Sequence, residues 1–202
     1  AACDVDTLQA AMAGIVDIAL SHDNCPHQVI ACGRQAAVEQ VAERLREQGV
    51  FMQVLPIVSG VHSPLFADHM AWYRDFFGEA ELREPSTPVW SATLAEKFPA
   101  TQQGKRDTAL AHLLEPVQFR RLTERLYDDG VRVFVQVGTG SLPGFIDDTL
   151  SGRPHLALHA NHEARSGLAQ LQQLCAALWV EGAALGLSLV QSAEPTLEAP
   201  VS

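Results

Sequence analysis

Hydrophobic positions in the first 57 residues follow two spacings, one typical of helices and one typical of strands. Apolar residues recur every three or four positions over residues 4–13 and 34–48, which predicts two amphipathic helices. Short apolar runs between glycine or polar residues predict strands over residues 15–20, 28–32 and 51–57. The α-β-β-α-β order is that of a βαββαβ ferredoxin-like unit whose first strand is missing or trimmed.

Beyond residue 57 the predicted strands and helices alternate at wider spacing. The predicted helices cover residues 64–77, 109–114, 117–129, 143–150 and 166–182, and the strands cover 88–92, 131–137 and 155–159. Residues 99–108 are polar and predict a loop. The alternation favours a parallel α/β sheet. We therefore expect a ferredoxin-like subdomain at 1–57, an α/β subdomain at 58–190 and a linker at 191–202.

Composition narrows the possible functions. The 24 acidic and 14 basic residues among 202 give a net charge of −10, which argues against nucleic-acid binding and against a polybasic membrane surface. No apolar run approaches the roughly 20 residues of a transmembrane helix. The four cysteines form no Cys-x-x-Cys pair, so we expect reduced thiols in a cytoplasmic protein. Since the chain does not begin with Met, we also expect it to be part of something longer.

His62 is the first candidate for chemistry, because it lies at a predicted strand-to-helix junction in the sequence VSGVHSPL. A loop histidine can present its ring to a cleft and exchange a proton near neutral pH. A surface or helix-capping histidine is the alternative. The chain contains no Gly-x-Ser-x-Gly nucleophile motif, and a histidine base alone cannot complete covalent catalysis.

Two other patterns suggest a metal- or nucleotide-dependent enzyme, but each has a structural explanation. The turn Gly138-Thr139-Gly140 follows a predicted strand and opens a helix, as phosphate-binding turns do, yet it lacks a third glycine and a P-loop lysine. A tight strand-to-helix turn is the favoured interpretation. A second pattern is the group of histidines at positions 155, 159 and 162, of which the last two are three residues apart, a spacing that can bind a metal ion on a helix. Because these residues fall on a predicted strand and loop, we predict no metal site at His155, His159 and His162.

Four segments, in order, resemble the malonyl-CoA:acyl-carrier-protein acyltransferases and the acyltransferase domains of polyketide synthases. They are HDNCPHQVIACG at 22–33, SGVHSPL at 59–65, HLLEPVQF at 112–119 and FVQVGTGSL at 134–142. The sequence DNCPHQ at 23–28 and the stretch Trp90-Ser91-Ala92-Thr93 most resemble the corresponding segments of iterative type I synthases, such as the enediyne and polyunsaturated fatty acid kinds. Four motifs in one order make the resemblance specific.

The resemblance implies the C-terminal part of an acyltransferase domain, with a ferredoxin-like subdomain followed by the second half of an α/β-hydrolase-like subdomain. The family's Gly-His-Ser-x-Gly serine, its carboxylate-binding arginine and its oxyanion-hole glutamine would then lie upstream of Ala1 or on another chain. The implied activity is malonyl transfer from CoA, through a serine ester, to the phosphopantetheine thiol of an acyl carrier protein. No bound cofactor is implied.

The resemblance also assigns roles to individual residues. His62 would be the base that takes up and returns the serine proton, and the main-chain carbonyl of His112 would orient its ring. Asn24, Gly60 and Val61 would line the acyl pocket. Val61 stands where many malonyl-selective members carry Phe, so the expected selectivity does not follow from this position.

The implied partners are the upstream half of the acyltransferase domain, an acyl carrier protein and neighbouring synthase domains. A non-catalytic docking module is the alternative function, in which the ferredoxin-like half binds an acidic carrier protein. Its candidate contacts are Arg34, Arg44 and Arg46 on the clearest predicted helix, although a solvated helix face is the favoured interpretation of these arginines.

Overall fold

The computed structural model describes residues 1–162 and 166–184, so the predicted linker at 191–202 lies outside the described residues. The chain divides into two compact units. The first contains Ala1–Arg132 and Gly144–His155, and the second contains Val133–Pro143 and the described residues from Leu156 onward. Among the described residues, every helix falls short of the length and hydrophobicity that spanning a bilayer requires.

Helices and strands alternate through most of the chain, which establishes an α/β protein with mixed sheets. The helices are α1 Val5–Met12, α2 Gln35–Glu47, α3 Met70–Glu79, α4 Gln102–Leu114, α5 Phe119–Asp128, α6 Leu142–Thr149 and α7 Gly167–Val180, and a 3-10 helix spans Pro64–His69. The strands are β1 Ile18–Cys25, β2 Gln28–Gly33, β3 Trp90–Ser91, β4 Glu96–Lys97, β5 Val117–Gln118, β6 Val133–Gln136 and β7 Leu156–His159.

The first unit is organised around a three-stranded sheet of order β2-β1-β5. Strands β1 and β2 form an antiparallel hairpin, and β5 pairs in parallel with β1 through His22↔Val117 and Asp23↔Gln118. Helices α1 and α2 cover the hairpin with an apolar cluster of Leu8, Ala11, Val29, Val41 and Leu45. Because β1 lies between β2 and β5, it is hydrogen-bonded along both of its edges, and its residues are held in place.

Polar side chains bind the backbone groups at both ends of helix α1. The Asp4 carboxylate accepts a hydrogen bond from the Thr7 amide at 2.8 Å and caps the start of α1. At the other end, the Arg44 guanidinium on α2 donates to the carbonyls of Ala11 at 2.9 Å and Ala13 at 2.8 Å. These carbonyls belong to the last turn of α1 and its C-cap, where helical partners run out.

The predicted strand over residues 51–57 is wrong, because no strand forms there. A strand needs a neighbouring strand to which it can hydrogen-bond. In the described part of the chain, little more than Ala1 and Ala2 lies beside residues 51–57. Ala1 pairs with Val29 through two hydrogen bonds of 2.8 and 3.1 Å, and the Ala2 amide donates to the Phe51 carbonyl at 2.8 Å. The apolar side chains of the segment remain exposed, with Phe51 at 75% and Ile57 at 69%. The complete ferredoxin-like arrangement is therefore not confirmed.

Residues 99–108 are not a loop as predicted, because helix α4 begins within them at Gln102. Polar side chains on this part of α4 bind the segment at residues 80–84. Gln102 donates to the Leu82 carbonyl at 2.6 Å, Lys105 contacts the Glu84 carboxylate at 2.6 Å, and Arg106 donates to the Ala80 carbonyl at 3.0 Å. Lys105 is consequently only 5% exposed. These contacts thus join α4 to the segment 80–84 and bury Lys105, while Gln102 and Glu84 remain exposed.

Several other boundaries also differ from the predictions. The predicted strand over 15–20 begins and ends later, as β1, and the helix predicted over 117–129 opens with the short strand β5. The helix predicted over 64–77 starts as a 3-10 helix before α3. The helices predicted over residues 4–13 and 34–48 and the strand over 28–32 are confirmed within two residues.

The second unit contains the parallel pair β6 and β7, with Val133 opposite Leu156 and Gln136 opposite His159. The predicted parallel pairing is therefore confirmed for β6 and β7, whereas β3 and β4, in the same predicted subdomain, pair antiparallel. Helix α7 follows, and its Ser166 cap accepts from the Ala169 amide at 3.3 Å.

We expect Arg44→Ala to destabilise the first unit by about 1–3 kcal/mol, because the substitution leaves the terminal carbonyls of α1 without their charged donor. Urea denaturation followed by circular dichroism measures the effect. Arg46→Ala is the matched control, since this arginine lies exposed on the same helix turn. Equal loss of stability in both variants would contradict a capping role for Arg44.

Candidate active site

His62 lies in a tightly held turn that leads into the 3-10 helix. Its backbone has φ 62°, a left-handed conformation that is uncommon for residues other than glycine. The His62 amide donates to the Leu113 carbonyl at 2.9 Å, at the end of helix α4. Ser63 is fully buried; its hydroxyl donates to the Gly60 carbonyl at 2.7 Å and accepts from the Leu65 amide at 3.3 Å. Contacts on both sides therefore hold His62 in place.

The His62 imidazole is oriented by a main-chain carbonyl. Its Nδ1 lies 2.6 Å from the carbonyl oxygen of His112. A carbonyl can only accept a hydrogen bond, so the proton of the neutral imidazole is on Nδ1. The other ring nitrogen, Nε2, then carries the lone pair. This tautomer is the one that a general base with a free Nε2 requires.

The His112 carbonyl is free for this contact because of the sequence four residues later. Within an α-helix, a carbonyl accepts from the amide of residue i+4. For His112 that residue is Pro116, which has no N–H to donate. The next carbonyl, that of Leu113, accepts from the His62 backbone instead. The helix end thus presents two adjacent carbonyls to a single histidine.

Two further imidazoles flank the His62 ring. The ring centroid of His112 lies 4.6 Å away with an interplanar angle of 64°, and that of His22 lies 5.0 Å away at 81°. The His112 Nδ1 is 2.9 Å from the Thr93 hydroxyl, and the His22 Nδ1 is 2.8 Å from the Ser21 hydroxyl. Three histidines from three different elements therefore meet at one point.

Both flanking rings favour the neutral state. Burial, reinforced by the neighbouring His62 and His112, lowers the pKa of His22 from its usual 6.5 to about 4. Burial and the neighbouring His62 also lower the pKa of His112. Near neutral pH the His62 ring accordingly has uncharged neighbours, and proton uptake by His62 meets no adjacent positive ring.

The predicted pocket residues fall into two groups. Gly60 and Val61 belong to the turn before His62; the Val61 amide donates to the Ser59 hydroxyl at 3.2 Å. Asn24 is buried on β1, and its side-chain amide donates to Gln28 Oε1 at 2.8 Å across the hairpin. The structure thus places Gly60 and Val61 next to His62, whereas the Asn24 amide is engaged within the hairpin.

Sequence reasoning missed the residues that surround the two predicted site histidines. Ser21, His22 and Thr93 contact the cluster, although His22 and Thr93 were noted only as parts of motifs. The available sequence signal was that His22 opens the segment 22–33, one of the four that resemble the acyltransferases. Nothing in the local sequence indicates that His22 contacts His62, 40 positions away, or that Thr93 contacts His112 near the end of α4.

The alternative sites have ordinary structural explanations. In the Gly138 turn, two backbone amides already have partners: that of Gly138 donates to Asn161 Oδ1 at 2.8 Å and that of Leu142 to Gln136 Oε1 at 3.0 Å. Within residues 1–162 and 166–184, no three histidine, cysteine or acidic side chains are grouped closely enough to hold a metal ion. The rings of His159 and His162 are 5.6 Å apart.

Comparison with known proteins tests the resemblance directly. The chain is 30% identical over 152 residues to the spectinabilin polyketide synthase system protein NorB of Streptomyces orinoci, a match of 75% of this chain and 7% of that protein. It is 29% identical over 121 residues to the malonyl CoA-acyl carrier protein transacylase of Staphylococcus aureus, a match of 59% of this chain and 39% of the transacylase. No family model matches the chain.

The fold agrees with these sequence matches. The acyltransferase domain from the second module of the salinomycin polyketide synthase superposes on 99% of this chain with a TM-score of 0.84 and 24% identity. The resemblance to acyltransferases is confirmed. The chain spans only part of the proteins that it resembles: 47% of the salinomycin domain and a smaller share of each of the two relatives.

The lowered pKa of His22 predicts how stability depends on pH. Because the folded protein binds this proton more weakly than the unfolded chain, the unfolded chain holds more protons between pH 6.5 and about 4. Stability therefore falls as the pH is lowered through this window, and His112 acts in the same direction. We expect urea unfolding at several pH values to show a smaller decline for His22→Gln than for the wild type. His27→Gln, at an exposed site on the same hairpin, serves as the control and should follow the wild type. An unchanged decline in His22→Gln would contradict the assignment.

The helix end predicts a specific effect of Pro116→Ala. Alanine restores an N–H at position 116 and removes the restriction that proline places on Glu115, which is extended at ψ 151°. Helix α4 can then continue, and the new N–H can bond the His112 carbonyl in competition with His62 Nδ1. We expect the Nδ1–H tautomer of His62, measured by ¹⁵N NMR of the imidazole, to give way to a mixture of tautomers. Pro88→Ala, at an exposed position, should leave the spectrum of His62 unchanged. A wild-type spectrum for Pro116→Ala would show that the proline does not keep the carbonyl free.

Proposed function

We propose that this chain supplies the general base of an acyltransferase that moves a malonyl group from CoA to the phosphopantetheine thiol of an acyl carrier protein. The observation that carries the proposal is the His62 imidazole, with Nδ1 bound to the His112 carbonyl at 2.6 Å and Nε2 left as the base. The transacylase and polyketide synthase relatives support this choice of reaction.

The proposed reaction consists of two transfers through one ester. His62 Nε2 takes the proton of a serine hydroxyl as the serine oxygen attacks the thioester carbonyl of malonyl-CoA. The carbon–sulfur bond then breaks, and the imidazolium returns its proton to the CoA thiolate. In the second transfer, His62 deprotonates the phosphopantetheine thiol of the carrier protein, and the thiolate attacks the carbonyl of the serine ester. The ester carbon–oxygen bond then breaks, and the imidazolium returns the proton to the serine oxygen.

A carbonyl in place of a carboxylate is sufficient for this role. The His112 oxygen accepts a hydrogen bond from the proton-bearing Nδ1 and so favours the tautomer with a free Nε2, and its partial negative charge faces the imidazolium that forms during transfer. The neutral state of His22 and His112 supports the same step, because a positive charge 5 Å away would oppose proton uptake by His62. The side chain of His112 is not needed for its carbonyl to act.

The serine belongs to a segment that this chain does not carry, since its sequence contains no Gly-x-Ser-x-Gly motif. We propose that this segment, the upstream half of the acyltransferase domain, is a partner of the chain. Its first contribution is an extended strand between β2 and residues 51–57, which would complete the ferredoxin-like unit. The pairing of Ala1 with Val29 and of Ala2 with Phe51 supports this position for the strand.

Substrate contacts are proposed for the residues around His62. Gly60 and Val61 would form one wall of the acyl pocket and Asn24 a second. Val61 is smaller than phenylalanine and would leave more room beside the acyl group. The carrier protein and neighbouring synthase domains would be further partners, and the cytoplasm the location of the reaction.

The docking-module alternative is not favoured. Arg44 caps helix α1, and Arg34 forms an ion pair with Asp17 at 3.1 Å. Two of the three arginines expected to contact a carrier protein therefore already have partners within the chain.

The test is transfer of radiolabelled malonyl groups to carrier protein by this chain together with its serine-bearing segment. We expect His62→Gln to lower kcat by about 10²–10⁴-fold, the usual contribution of a general base. His69→Gln is the matched control, because His69 is exposed seven residues farther along the chain. Wild-type turnover by His62→Gln would refute the proposed function.

A further inference from the structure

A single hydrogen bond does not fix an imidazole ring. An imidazole ring can rotate about the bond between Cβ and Cγ. The hydrogen bond to the His112 carbonyl restrains the His62 ring at one atom, Nδ1. Ring flipping would exchange Nδ1 and the carbon opposite it, and the proton would be free to move to Nε2. Something besides the carbonyl must therefore confine the ring for the Nδ1–H tautomer to persist.

The His22 ring is placed to do this. It packs against His62 at a centroid distance of 5.0 Å and an interplanar angle of 81°, an edge-to-face arrangement that aromatic rings prefer. The other flanking ring belongs to His112, the same residue that supplies the carbonyl. His22 is thus the ring contact that comes from a separate element, strand β1.

His22 is itself held rigidly. Its backbone lies in the middle of the three-stranded sheet, opposite Ile30 on one side and Val117 on the other. The following residue, Asp23, is tied to helix α5 by the Arg120 guanidinium, with two N–O distances of 3.0 Å. A ring attached to such a strand can restrict the motion of a neighbouring ring.

The same strand also reaches the turn that carries His62. The buried Ser21 hydroxyl is 2.8 Å from His22 Nδ1 and 3.5 Å from the carbonyl oxygen of Val61. Two successive residues of β1 therefore contact the backbone before His62 and the ring of His62. Neutrality suits His22 to this position, because an uncharged ring does not repel the imidazolium form of its neighbour.

We propose that His22 is a positioning residue, whose ring holds the His62 imidazole on the His112 carbonyl in the Nδ1–H tautomer. The role in acyl transfer rests on the proposed function, whereas the effect on the tautomer does not. His22 acts through His62 and needs no contact with the substrate.

The test is ¹⁵N NMR of the histidine rings in the intact protein, with the His62 signals assigned from His62→Gln. We expect the Nδ1–H tautomer of His62 to predominate in the wild type. His22→Ala removes the ring, and His22→Leu fills the space without an aromatic face. Both variants should give a mixture of tautomers, and the leucine variant preserves the burial that folding needs. His22→Phe should restore the wild-type spectrum.

His27→Ala is the matched control, since it removes an exposed histidine from the same hairpin. An unchanged His62 tautomer in His22→Ala and His22→Leu would overturn the proposal, and so would failure of His22→Phe to restore it. With the serine-bearing segment present, we expect kcat to fall about 10–100-fold in His22→Leu with little change in KM, as for a misplaced catalytic group. Loss of the tautomer together with normal transfer by His62→Gln would refute the proposed function and leave the positioning role intact.

Discussion

The hydrogen bond between His62 Nδ1 and the His112 carbonyl is the constraint on which the site depends. It requires a helix that ends at the right residue, a carbonyl that has no helical partner, and a turn that brings position 62 to that carbonyl. Pro116 satisfies the second condition by lacking an N–H. The left-handed backbone of His62, bonded to Leu113, satisfies the third. The chemistry of the imidazole is therefore a consequence of how one helix terminates.

The surrounding structure can be understood as support for this contact. Helix α4 is held along its first turns by the polar contacts of Gln102, Lys105 and Arg106 with residues 80–84. Strand β1 fixes His22 from the other side, and the Thr93 hydroxyl holds the His112 ring. Each support comes from a different part of the chain. The cluster of three imidazoles forms only when all of these parts are folded.

The sequence allowed the local elements and the two central histidines to be predicted, because both depend on short-range patterns. The helices α1 and α2 follow from apolar spacing, and His62 and His112 follow from motifs that resemble acyltransferases. His22 and Thr93 could not be assigned to the site, since their contacts with His62 and His112 are long-range. The start of α4 was missed because residues 99–108 have the polar composition of a loop, and their partners at 80–84 are not visible in the pattern. The segment 51–57 has the composition of a strand, but a strand forms only beside another one.

The apolar side chains of residues 51–57 connect folding with assembly. Phe51 and Ile57 are exposed, and few described residues form hydrogen bonds with the backbone of this segment. A polypeptide that covered this surface would bind the folded state and not the unfolded one, so by mass action its concentration would add to the stability of the first unit. The melting temperature of this chain would then be a property of the pair, set by the affinity between two segments as much as by the core beneath α1 and α2.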